Sequence, residues 1–170
     1  MPYTDLLRVT VFLTGAEATA LAAITAVAAN RNGDTTTILV AAAWWLIALT
    51  LGFYLGRPAR AAEGVRDALA KARTATSLPQ DTPARIALGR LWPVAVTAVA
   101  AGVLGVFFPG VAAIGAGYAL LVSLAWHTRE AAVLAIEQRD GVKFYIVPSS
   151  ALRPIELVRA PGLRSDRLSL

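Results

Sequence analysis

The sequence predicts an all-α integral membrane protein of four transmembrane helices, with a surface helix in its long loop and a small C-terminal β-hairpin tail. Three observations lead there. Of 170 residues, 56% are hydrophobic and 16% charged, with mean hydropathy +0.59; an average soluble domain is about 45–50% apolar and about 25% charged. The apolar residues gather into a few long runs. The basic residues lie almost wholly on one side of those runs.

A spanning helix needs about 20 mostly apolar residues, because the hydrocarbon core is roughly 30 Å thick and a helix rises about 1.5 Å per residue. The first span is expected over about 6–29, interrupted only by Arg8 and Glu17. Its length, Glu17 inside it and Asp5 before it argue against a cleaved signal peptide, although Ala26-Val27-Ala28 resembles a cleavage site. The run Asn30-Arg31-Asn32-Gly33-Asp34 reads as a turn. The second span covers about 36–56 and stops at Arg57-Pro58.

No residue between Leu91 and Thr128 is certainly charged. As one helix these 38 residues would be about 57 Å long, nearly twice the hydrocarbon thickness. Pro109-Gly110 is the natural break, giving a third span over 91–108 and a fourth over 111–128. Residues 1–128 thus form the transmembrane domain, with loop 57–90, and 129–170 a cytoplasmic extension.

Orientation follows from charge. The loop holds Arg57, Arg60, Arg66, Lys71, Arg73, Arg85 and Arg90. The tail holds Arg129, Arg139, Lys143, Arg153, Arg159, Arg164 and Arg167. With Arg8, that places 15 of 16 basic residues on one side and leaves Arg31 on the other. The positive-inside rule puts both termini in the cytoplasm of a bacterial inner membrane. Tyr54, Trp92 and Trp126 fall at the same interface, where amphipathic rings are favoured. The net charge of +5 is explained by topology, and no nucleic acid is expected.

Outside the bilayer, Ala61–Arg73 places Val65, Leu69 and Ala72 at helical spacing and pairs Asp67 with Lys71, so it reads as a short helix lying on the membrane or the tail. Thr74–Gln80 is a link. Asp81-Thr82-Pro83 marks a helix start, so the third helix begins before the bilayer and carries Pro93, which is expected to kink it. The fourth helix is expected to run on from His127 to Asp140, capped by Gly141. Residues 141–147 and 154–159 then read as two strands around Pro148-Ser149-Ser150. A lone hairpin is marginal in water, so it needs the loop helix, headgroups or another protein to pack on. The residues from Pro161 read as a flexible basic end.

Glu17 is the first candidate for chemistry. It lies about nine residues past Arg8, hence roughly 13 Å deep. A carboxylate there costs at least a few kcal/mol on insertion scales unless neutral, paired or facing a cavity. Thr10, Thr14, Glu17 and Thr25 fall roughly on one face, interrupted by Leu21. Glu17 reads either as a proton- or cation-binding carboxylate or as a neutral acid satisfied by threonines and backbone. Tyr118 and Ser123 lie nearest its level on the fourth helix.

His127 and Glu130 form a second pair, at the inner interface, on a face shared with Ser123, Ala116 and Ala119. Histidine titrates near neutrality, so this pair suits either lipid chemistry at the interface or a structural role.

Small residues one turn apart form packing stripes: Gly15-x3-Thr19-x3-Ala23, Ala48-x3-Gly52-x3-Gly56 and Ala113-x3-Gly117. In lipid such stripes drive helix association by close backbone approach, within the bundle or against a partner. Of the adjacent Trp44 and Trp45, at most one easily faces lipid, their directions differing by about 100°.

There is no cysteine, no phosphate loop, no HExxH, no serine elbow and no lysine in a span. No catalytic residue, metal or cofactor is therefore expected. A glutamate in the first of four helices resembles the small multidrug transporters; the 34-residue loop Arg57–Arg90 and the long tail depart from that compact pattern. The leading expectation is a non-enzymatic subunit or accessory of a larger membrane assembly, contacting a partner or headgroups through its loop and tail, with a membrane-protein partner or a homo-oligomer expected in the bilayer. A small proton- or cation-coupled transporter or channel using Glu17 is the alternative. A lipid-acting enzyme built on His127 and Glu130 is a third reading.

Overall fold

The structure, a computed structural model, describes residues 1–70, 72–74, 82–147, 151 and 155–161. In chain order these form α1 (Tyr3–Arg31), α2 (Thr35–Leu55), α3 (Pro58–Ala70), β1 (Arg73–Thr74), α4 (Pro83–Phe107), α5 (Pro109–Trp126), α6 (Arg129–Asp140), β2 (Val142–Ile146) and β3 (Leu157–Pro161). Among the described residues four helical runs are long and apolar enough to cross a membrane: α1, α2, α4 and the α5–α6 run.

The turns fall where the backbone demands them. Gly33 takes φ +63 between α1 and α2, and the Asp34 carboxylate accepts the Thr37 amide to start α2. Phe108 leaves helical geometry at φ −128, ψ 86, and Pro109 opens α5. The expected continuation of the fourth helix is broken for two residues at His127–Thr128 before α6 begins. Gly141 then closes α6 at φ +64, a left-handed cap that costs glycine little.

Helix α5 is the centre of the bundle, packed on α1, α2 and α4, while α1 also packs on α4. The α2–α5 seam is made by small residues. Ala48 and Gly52 are buried on α2, Ala113 and Gly117 on α5. A side chain at Gly117 would run into the Trp44 indole, and one at Gly56 into the Leu124 carbonyl. That close approach lets both indoles pack on α5: Trp44 Nε1 donates to the Ile114 carbonyl (3.3 Å) and Trp45 Nε1 to that of Ala113 (2.9 Å). On α1 the buried stripe is Leu7, Thr10, Thr14, Ala18, Leu21, Thr25 and Ala28. Gly15 faces Ser123 of α5, but Thr19 and Ala23 are exposed. Only the first residue of that expected stripe is in the packed seam.

The second core lies beyond the bundle, at the end where α1 and α4 begin. Met1, Leu6 and Leu7, Val65 and Leu69 of α3, Ile86 of α4, Val133 of α6, and Phe144, Ile146 and Leu157 of the sheet form one buried cluster. Helix α3 buries Ala61, Val65 and Leu69, one residue per turn, and packs on α6. The hairpin strands pair antiparallel with Phe144 opposite Arg159, and β1 adds a two-residue parallel strand on the far side of β3. On the other edge, the Ile146 amide donates to the Met1 carbonyl (3.1 Å). This cap draws on both ends of the chain and on the loop. The expected Asp67–Lys71 pair, the 75–80 part of the link, Asp81 of the expected helix start, the 148–150 turn and the basic end from 162 lie outside the described residues.

Candidate functional site

Glu17 stands at the middle of α1, on the flank that turns from α5 toward α4. There α1, α4 and α5 enclose a cavity of about 320 Å3, lined by Thr14, Glu17, Val94, Thr97, Ala101, Gly115, Tyr118, Ala119 and Val122. Beyond one end of the cavity α4 and α5 close tightly, since a side chain on Gly105 would meet the Ala112 Cβ. The rim is open to the outside of the bundle at Thr97 and Tyr118, both exposed, with Tyr118 at 58%. Its floor is small-residued, at Ala101, Gly115 and Ala119.

The hydroxyls around this cavity are largely committed. Thr14 Oγ1 donates to the Thr10 carbonyl (2.9 Å), and Thr97 Oγ1 lies 2.9 Å from the carbonyls of both Pro93 and Val94. Each hydroxyl has one proton, so neither threonine has one left for the carboxylate. The Tyr118 ring packs edge-on against Trp44, centroids 5.3 Å apart. Glu17, half-buried, has no hydrogen-bond or ion-pair partner among the described residues.

Of the intramembrane residues expected to act together, Glu17, Thr14 and Tyr118 share this groove. Thr10 and Thr25 are buried in the helix seam, each hydroxyl donating to the carbonyl four residues back, Leu6 and Leu21 (both 2.8 Å). Ser123 donates across to the Val11 carbonyl of α1 (3.2 Å), about one and a half turns from Glu17. Thr97 was not singled out from sequence. Its signal is its place one turn after Pro93, where its hydroxyl approaches the proline carbonyl.

His127 and Glu130 do not form one site. They meet different neighbours. His127 Nδ1 lies 2.5 Å from the Leu124 carbonyl and its ring meets Phe53 of α2 edge-on at 6.5 Å. Glu130 instead faces α1, where Arg8 Nη2 donates to it at 2.5 Å. Thr128 Oγ1 donates to the Gly56 carbonyl (2.7 Å), fixing the break against the end of α2.

At the same end, guanidinium groups lie on aromatic rings. Arg57 and Arg60 sit 4.9 and 4.3 Å from the Tyr54 ring, and Arg129 4.5 Å from that of Trp126. These cation–π contacts gather positive charge around the bundle where the cap begins. Among the described residues no three potential metal ligands come together. No protein-family model, curated protein or solved structure matches the chain.

Proposed function

We propose that this protein is a non-enzymatic, multi-pass subunit or accessory of a larger membrane assembly in a bacterial inner membrane, with both termini and the cap in the cytoplasm. The observation that carries this reading is the partnerless Glu17 carboxylate in a groove that opens sideways, toward whatever lies beside the bundle. In hydrocarbon such a group is costly, and a neighbouring membrane protein can complete it. The cap supports the same reading: its core joins α3, α6 and the sheet to the start of α1, and the arginine–aromatic collar beside it offers contacts for headgroups or a partner protein. Extraction from native membranes in mild detergent tests it. A second polypeptide is expected to co-purify in defined ratio; a particle holding only this chain overturns the proposal.

A second reading is favoured by the oxygens of Thr14, Thr97 and Tyr118 that line the groove with Glu17. In it the protein is a small proton- or cation-coupled transporter or channel with Glu17 as the binding carboxylate. That reading requires Glu17→Gln to abolish coupled flux in vesicles while the protein still assembles, and unchanged flux removes it.

A further inference from the structure

We infer that the groove between α1, α4 and α5 receives a transmembrane helix of a different protein, and that this helix carries a lysine or arginine paired with Glu17. The inference rests on the assembly reading above and names the chemistry of the partner.

The groove's shape suits a helix. Gly115 is covered by Leu21 of α1, but Ala101 and Ala119 keep the floor small, and the rim at Thr97 and Tyr118 is open. Its chemistry asks for a donor. Thr14 and Thr97 direct their hydroxyl protons to backbone carbonyls, so a carboxylate beside them still lacks hydrogen bonds. The small-residue stripes Ala48–Gly52–Gly56 and Ala113–Gly117 are already used between α2 and α5, whereas the Glu17 groove is lined by an ionisable group and faces outward.

A second copy of the chain cannot supply the missing charge. No lysine or arginine lies between Arg8 and Arg31, between Arg31 and Arg57, or between Arg90 and Arg129. Along α1 the nearest, Arg8 and Arg31, are roughly 13 and 21 Å from Glu17 by helical rise, and Arg8 is already paired with Glu130. Two copies meeting symmetrically at this groove would set carboxyl against carboxyl. The complementary charge therefore comes from another sequence, on a helix that spans at this depth.

The chain has no cysteine, so a single introduced thiol is unique. Val122→Cys lines the groove, and Val99→Cys, at a position 67% exposed and absent from the groove lining, serves as control. Each full-length variant is loaded with a photoactivatable maleimide in native membranes, irradiated and digested, and the adduct peptide is sequenced. The expected adduct at Val122→Cys is an apolar stretch of about 20 residues from another protein with a lysine or arginine inside it. Its yield is expected to fall about tenfold with Glu17→Leu, and less with Glu17→Gln, which keeps a hydrogen-bonding group. Glu17 makes no bond within the described chain, so both variants are expected to fold. An adduct with this chain itself, with lipid alone, or with a helix lacking a basic residue overturns the inference, as does a yield no higher than at Val99→Cys or indifferent to Glu17. Any of these alongside a co-purifying polypeptide leaves the assembly reading standing; a chain that purifies alone brings down both.

Discussion

Arg8, near the start of α1, donates to Glu130, in the first turn of α6, at 2.5 Å, although 122 positions separate them in sequence. The pair fastens α6 of the cap to the first helix of the bundle. Because the Arg8 side chain is 70% exposed, solvent screens the pair and its contribution to stability is small. Arg8→Glu is expected to lower the thermal midpoint in detergent, and Arg8→Glu with Glu130→Arg to recover most of the loss. A double variant no better than the single one would show that the pair is not coupled.

The α2–α5 seam is expected to be intolerant of added volume. Gly117→Leu collides with the Trp44 indole and is expected to cost about 1–3 kcal/mol or more, the usual range for overpacking. Trp45→Phe, which loses the bond to Ala113, is expected to cost about 1 kcal/mol. Gly64→Ala, on the open face of α3 with nothing near its added carbon, is expected to stabilise the cap by about 0.5–1 kcal/mol. Reversible unfolding followed by tryptophan fluorescence ranks the three.

In the cap, Ile146 and Val65 are almost wholly inaccessible, at 0% and 1%. Ile146→Ala is expected to cost about 2–5 kcal/mol, as buried isoleucine truncations do. Since one core joins the sheet to α3 and α6, limited proteolysis of this variant is expected to cut faster throughout the cap and to spare α2 and α5. Cleavage confined to the hairpin would show that the cap is not one cooperative unit.

At the opposite end, Thr37 donates both its amide and its hydroxyl to the Asp34 carboxylate and holds it below the usual carboxylate range. A lowered native pKa means that the cap stabilises α2 fully above the unfolded value of about 3.9 and loses that effect as pH falls through the native value. The protection of the Thr37 amide against exchange, measured relative to the intrinsic rate at each pH, is expected to fall at acid pH in the native protein. In Asp34→Ala that protection is expected to be low already at neutral pH, with no further acid-dependent loss.

Much of the bundle is legible in sequence because hydropathy, proline and glycine act locally. The expected span 36–56 becomes Thr35–Leu55, and the break at Pro109-Gly110 falls where Phe108 leaves the helix. What is not legible depends on distant partners. Thr10, Thr14, Glu17 and Thr25 look like one polar stripe, yet the threonines satisfy themselves within their own helix and Glu17 turns to the groove. Helix α3 and the hairpin each look marginal alone, and only their meeting with Leu7 and Val133 makes a core. The two-residue strand Arg73–Thr74 carries no periodicity that could announce it. His127 and Glu130 look like neighbours on one helical face, yet His127 packs against Phe53 of α2 and Glu130 pairs with Arg8 of α1.

The most direct test of the account is the mass of the intact particle released from native membranes into nanodiscs, without crosslinking. This 17.8 kDa chain is expected in a complex with at least one other polypeptide, and Glu17→Leu is expected to dissociate that complex. A particle containing only copies of this chain would contradict it.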